Sequence, residues 1–126
     1  MLDTDVVIGA LDRRDAHHRK ARALLLRLIS DGVTLHLSVI NYAESLVKPA
    51  ENPTTLRQAI EAIETLGIHL HSPDAGMARD AARLRSPNIS LADGFALATA
   101  KRLGASVASY DRRVRTAAHK EQLAST

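Results

Sequence analysis

Hydrophobic positions along this chain switch between a helical and an extended period, and the switching predicts helices alternating with short strands. Residues 6–11 are apolar and follow Thr4 and Asp5, either of which can cap a helix there; Asp5 reads best as that cap. In residues 16–29, Ala21, Leu24, Leu25 and Leu28 form an i, i+3, i+4, i+7 stripe, while Arg19, Lys20, Arg22 and Arg27 fill a solvated face. Residues 33–37 read as a strand. Ser38 then caps a helix that reaches about Lys48, before Pro49, with Glu44 in its second turn among apolar neighbours. Residues 53–66 carry Leu56, Ala59, Ile60 and Ile63 on one side of a helix closed by Gly67. Residues 68–71 form a third strand, and Ser72-Pro73-Asp74 starts a helix with Pro73 at its first position and Met77, Ala78, Ala81 and Leu84 inward.

The stretch from Ile89 to Asp111 is the centre of the pattern. Residues 91–100 are almost wholly apolar, which predicts a helix buried nearly all round, stopped by Gly104. Residues 105–109 then suit an interior parallel strand. Asp93 lies in the first turn of that helix and Asp111 directly follows the strand. A buried lone carboxylate costs several kcal/mol unless it is paired or holds a cation. Capping offers a simpler account: Ser90 and Asp93 have the spacing of a capping box, and Asp111 can be the N-cap of a weak helix that follows.

The two ends of the chain fit the strand pattern less well. If Asp3 ends a first strand, only Met1 and Leu2 precede it, and no final strand is evident after Arg112-Arg113-Val114-Arg115. His69 and His71 share one face of the third strand by simple alternation, with no third metal ligand in view, and His17-His18 reads as an exposed helix start.

Composition narrows the class. The 126 residues read as one domain, residues 1–126, with 45% apolar and 25% charged positions typical of a globular protein. Tyr42, Phe95 and Tyr110 are the only aromatic residues other than histidine, so base stacking on aromatic platforms is not the expected mode of nucleic-acid binding. Without cysteine there is no disulfide, thiolate zinc site or cysteine nucleophile, which is compatible with the cytoplasm, and no signal peptide or membrane-length apolar run stands out. A net charge of +3 permits a polyanionic partner.

Alternating strands and helices predict an α/β fold around a mostly parallel sheet, whose cleft lies at the carboxyl edge of the strands. Asp3 and Asp111 end strands at that edge, Asp93 begins a helix there, and Glu44 follows the second strand by one or two turns. Four acids from distant parts of the chain therefore converge, which separate capping roles do not predict. Carboxylates without sulfur select a hard cation, magnesium or manganese, able to polarise a phosphoryl oxygen. Mutual repulsion in the empty cluster should raise carboxyl pKa values, so that stability falls toward neutral pH and the ion restores it.

Leu-Asp-Thr-Asp at the start, Ala-Glu-Ser around Glu44, Leu-Ala-Asp-Gly-Phe-Ala-Leu-Ala-Thr-Ala at Asp93 and Ala-Ser-Tyr-Asp-Arg-Arg at Asp111 resemble the PIN domain, and more narrowly the toxin ribonucleases of VapBC toxin–antitoxin pairs. The resemblance spans nearly the whole chain in order. It implies a three-layer fold with helices on both faces of the sheet, and a magnesium- or manganese-dependent endoribonuclease cutting single-stranded RNA to 5′-phosphate and 3′-hydroxyl ends. It implies Asp3 and Asp93 as principal metal ligands, Glu44 and Asp111 as further metal and catalytic acids, and Ser109 as a small hydroxyl residue beside them. It also implies a homodimer and a cognate antitoxin that inserts a basic side chain among the acids. Asp5 departs from the family, which usually has asparagine there. Arg112, Arg113 and Arg115, and less directly Arg13 and Arg14, are candidate phosphate contacts, or simply an exposed helix face. Two other readings remain open: a PIN-like module that binds RNA without cutting it, and a phospho-accepting receiver, which lacks its acceptor aspartate and its lysine.

Overall fold

The computed structural model describes residues 1–126. Seven α-helices surround a narrow sheet: α1 (Thr4–Leu11), α2 (His18–Ser30), α3 (Val39–Leu46), α4 (Pro53–Thr65), α5 (Ala75–Leu84), α6 (Leu91–Leu103) and α7 (Arg112–Lys120), with β1 (His36–Ser38) and β2 (His69–His71) paired in parallel. Three still shorter segments extend this pair. Leu2 N donates to His36 O, and Asp3 N to Ala108 O; Val107 N donates to Ala124 O. Leu2 pairs with Ala108 and Val107 with Ser125, both in parallel. The order across the sheet is therefore β2, β1, residues 1–3, residues 107–108, residues 124–126.

The expected α/β architecture holds, with corrections at both ends. The N-terminal segment is as short as the sequence suggests, yet it occupies the middle of the sheet, hydrogen-bonded on both sides. A final strand does exist: Thr126 N donates to Val107 O, and Ser125 makes the single bridge that defines it. Pro73 precedes its helix rather than opening it. Asp74 is the N-cap, its Oδ1 accepting from Met77 N at 2.9 Å, because a carboxylate satisfies an orphan amide as proline does not. The side chain of Arg102 holds the Asp74 carboxyl down at about 2.

Strand alternation divides the core. Leu2 and Ala108 face Val6, Val7, Leu25, Leu37 and Ile63 on one side, while Met1 and Val107 face Leu97, Ala100, Val114 and Ala118 on the other. Successive side chains of one strand thus feed two helical layers, as a sheet covered on both faces requires. The central part of α6 is buried as expected, but its ends are not: Leu91 and Leu103 are exposed. Gly104 stops it at φ +63°, a left-handed conformation that glycine adopts without a Cβ penalty.

The histidines of the sheet meet a third across the strand pair. His36 Nδ1 lies 2.8 Å from His71 Nε2, and the His36 and His69 rings meet edge to face. One proton is shared between two imidazoles. Burial, and then the neighbouring His71, lower the His36 pKa. A lowered base binds fewer protons folded than unfolded, so stability is lost as pH falls below the ordinary imidazole value of about 6.5. His36→Gln should therefore lose less stability than the native chain as pH falls below about 6.5, read by thermal denaturation. Identical acid profiles for the two proteins would contradict this.

Candidate active site at the carboxyl edge of the sheet

The parallel strands deliver Asp3, Ser38 and Ser109 to one edge of the sheet, where α1, α3 and α6 begin. Asp3 caps α1, contrary to the expectation that the cap follows it: Oδ1 accepts from Thr4 N at 2.9 Å. Its other oxygen accepts from the Ser109 hydroxyl at 2.7 Å, and the residue is only 3% exposed. Ser109 Oγ in turn accepts from Asp111 N at 3.0 Å. This buried hydroxyl therefore ties the N-terminal segment to the end of residues 107–109 and closes the local turn into Asp111.

Asp5 is part of the same cluster, which its reading as a cap conceals. Its Oδ2 accepts from Tyr110 N at 2.9 Å, while Oδ1 is buried with no partner. Burial pushes the Asp3 carboxyl up to about 7, against the opposing Ser109 hydroxyl, and the charges of Asp5 and Asp93 push the same way. Burial likewise raises Asp5. Raised values within the acid cluster are as expected, although desolvation outweighs repulsion as the cause.

Asp93 closes a capping box. Its Oδ2 accepts from Ser90 N at 3.0 Å, and Ser90 Oγ accepts from Asp93 N at 3.1 Å. The capping account is correct but incomplete, since the Asp93 charge also raises Asp3 and its Oδ1 takes no hydrogen bond. Asp111 also caps, accepting from Arg113 N at 2.9 Å. The Arg113 guanidinium grips both its oxygens at 3.2 and 3.1 Å and holds the carboxyl below the usual carboxylate range. Arg113 also feels the charge of Asp93.

On α3 the structure turns Asn41 toward these acids: Nδ2 donates to Thr4 Oγ1 and Ala92 O, and Oδ1 is buried without a partner. Glu44 is three residues further, a neighbour on the helix surface, but exposed. It borders a groove shared with Asp12, Arg13, Arg14, Arg22 and Lys48. The geometry thus brings together Asp3, Asp5 and Asp93, places Asp111 beside them through Ser109 and Arg113, and leaves Glu44 on the outer side of α3. No group of three or more acids or histidines stands at ligand distances.

A divalent cation fits the chemistry of this edge. The donors are hard carboxylate oxygens, one of them buried and orphaned on Asp5, and the excess negative charge around Asp3 has no basic partner of its own. The arginines sort themselves as well. Arg115 Nη1 donates to Ser109 O and is structural, Arg113 is spent on Asp111, and Arg112 is exposed and unpaired.

Fold and site together describe a parallel α/β domain with an acidic cluster at its carboxyl edge. The PIN domain family model matches residues 1–120, and the chain belongs to that family. PIN domains are generally metal-dependent nucleases. Among solved structures, the chain is similar to FitAB bound to an IR36 DNA fragment, at 28% identity and a TM-score of 0.72, covering 99% of this chain and 92% of that one. It is also similar to FitAcB from Neisseria gonorrhoeae, at 30% identity and a TM-score of 0.68, covering 98% and 94% respectively. No curated protein matches. Family membership removes the phospho-accepting receiver, whose acceptor position the chain lacks. No helix is long and apolar enough to cross a membrane.

Proposed function

We propose that this chain is a magnesium- or manganese-dependent endoribonuclease, the toxin of a toxin–antitoxin pair, cutting single-stranded RNA in the cytoplasm. The observation that carries the reading is the Asp3, Asp5 and Asp93 cluster, with Asp5 Oδ1 buried and unsatisfied at the edge where a PIN domain would hold its ion. Asp3 and Asp93 would be the principal metal ligands, with Asp5 and Asp111 beside them, while Glu44 stays exposed on the outer side of α3. A magnesium or manganese ion bound there supplies a Lewis acid for the scissile phosphate. The chain's own residues then orient and position: Ser109 holds the Asp3 carboxylate, Asn41 fixes the starts of α1 and α6 relative to each other, and Arg113 keeps Asp111 ionised.

The likeness to FitAB supports a second protein chain as antitoxin, and the wider resemblance supports a homodimer. RNA as the substrate rests on the motif resemblance together with the uncommitted basic side chains near Asp111.

Purified protein should cut single-stranded RNA in magnesium or manganese, stop in EDTA, and leave 5′-phosphate ends. Asp93→Asn should lower the rate by about 10²-fold or more, as loss of one charge-stabilising group does. Cutting that persists unchanged in EDTA or in Asp93→Asn ends the assignment. RNA binding without any cleavage would favour the non-catalytic module, a reading to which the tight Arg113–Asp111 pair gives some footing.

A further inference from the structure

We propose that the groove between the Ser86–Ile89 turn and α7 receives the nucleotide of single-stranded RNA that adjoins the cleavage point. The inference rests on the nuclease reading above and deepens it by assigning the substrate a place. The groove has a volume of about 610 Å³. It opens beside the acids: its turn runs straight into Ser90, the cap of α6, and Arg113 on its wall is the residue that grips Asp111.

Its chemistry matches a nucleotide. Leu84 and Ala117, both half-buried, supply an aliphatic surface on which a base can rest, over the buried Ile89, in a chain whose aromatic residues lie elsewhere. Arg112 and Lys120 are exposed and make no ion pair, unlike Arg83 and Arg113 on the same groove, which are held by Glu121 and Asp111. Arg112 and Lys120 stand eight residues apart on one ridge of α7, with Thr116 midway, so their backbones lie about 12 Å apart along the axis. Two free cations at that spacing, flanking an apolar floor, suit alternate phosphates of the strand with a base between them turned inward. Phosphate contacts of this kind set register without reading sequence.

The test is the salt dependence of binding to a single-stranded oligoribonucleotide in EDTA, where no cleavage intervenes, followed by fluorescence anisotropy. Each phosphate contact to a single strand contributes about 0.7 to the slope of log affinity against log salt. The double variant Arg112→Gln with Lys120→Gln should bind about tenfold more weakly, with a slope shallower by about 1.4. Arg22→Gln, on the separate groove beside α3, should leave both readings unchanged. Wild-type binding with an unaltered slope in the double variant overturns the groove while sparing the nuclease reading. Equal loss in Arg22→Gln also overturns it, since binding would then follow net charge rather than place. Failure of the wild type to bind RNA in EDTA overturns the groove, whereas the nuclease reading is decided separately by cleavage in magnesium or manganese.

Discussion

Asp3→Asn should make the protein more stable and nearly inactive. The buried Asp3 carboxyl is pushed from 3.8 up to about 7, first by burial and then by its acidic neighbours. A carboxyl raised in the folded state favours folding below its unfolded value and loses that contribution as pH rises through the folded value. The window is therefore about pH 4 to pH 7, with the full cost present above it. A shift of that size corresponds to about 4 kcal/mol. Asparagine cannot ionise and keeps an oxygen for Thr4 N, but it turns an amide toward Ser109, so about half of that gain should survive. Thermal denaturation in EDTA at pH 8 should show a midpoint higher by roughly 5–10 °C, with the gap closing near pH 4. Magnesium at pH 8 should stabilise the native chain and not the variant. RNA cleavage should fall by about 10²- to 10³-fold. A variant less stable than the native chain at pH 8 would refute the account of Asp3.

The places of Asp3 and Asp93 at the carboxyl edge were readable from a predicted strand end and a predicted helix start. The body of α6, its cap at Ser90 and its stop at Gly104 were readable because each leaves a local signature: an apolar run, a box spacing and a glycine. The sheet was less readable because its inner strands make few bonds. Residues 1–3 and 107–108 share one bridge, and the C-terminal strand has one with Ser125. Periodicity needs more residues than that.

The polar contacts that assemble the site left no local trace at all. Asn41 reaches Thr4 across 37 positions and Ala92 across 51, and Ser109 reaches Asp3 across 106. Asp5 was hidden for another reason: a carboxylate in the first turn of a helix is adequately explained by the helix dipole, so nothing local demanded a second role. For Glu44, helical spacing fixed which residues are its neighbours on α3. Whether that strip of surface points at the acids or at the groove beside them depends on how α3 is rotated against α1 and α6, which a single helix does not encode.

Gly94→Ala should show how closely the position of Asp93 depends on packing. Gly94 lies in the first turn of α6, next to Asp93, with ordinary helical geometry, so glycine is not needed for its backbone angles. By propensity alone, alanine would stabilise the helix by about 1 kcal/mol. The obstacle is α5. A Cβ at this position would stand 2.6 Å from the carbonyl oxygen of Ala81 and 3.3 Å from its Cα, and backbone in a packed helix cannot turn aside as a side chain can. The two helices must separate, at a cost of about 1–3 kcal/mol that exceeds the propensity gain. Because the contact is in the turn that carries Asp93, separation displaces the carboxylate, and a shift near 1 Å at a reacting centre can cost about 10²-fold in rate. The expected result is a lower thermal midpoint together with a cleavage loss of that order. Gly76→Ala supplies the contrast: its Cβ would meet only side-chain ends, Arg102 Nη2 and the capping Asp74 Oδ1, each at 3.3 Å, which can give by a few tenths of an ångström, so stability should change little. If Gly94→Ala instead matched Gly76→Ala in stability and cleaved RNA normally, close approach of α5 and α6 would not be what sets Asp93 in place.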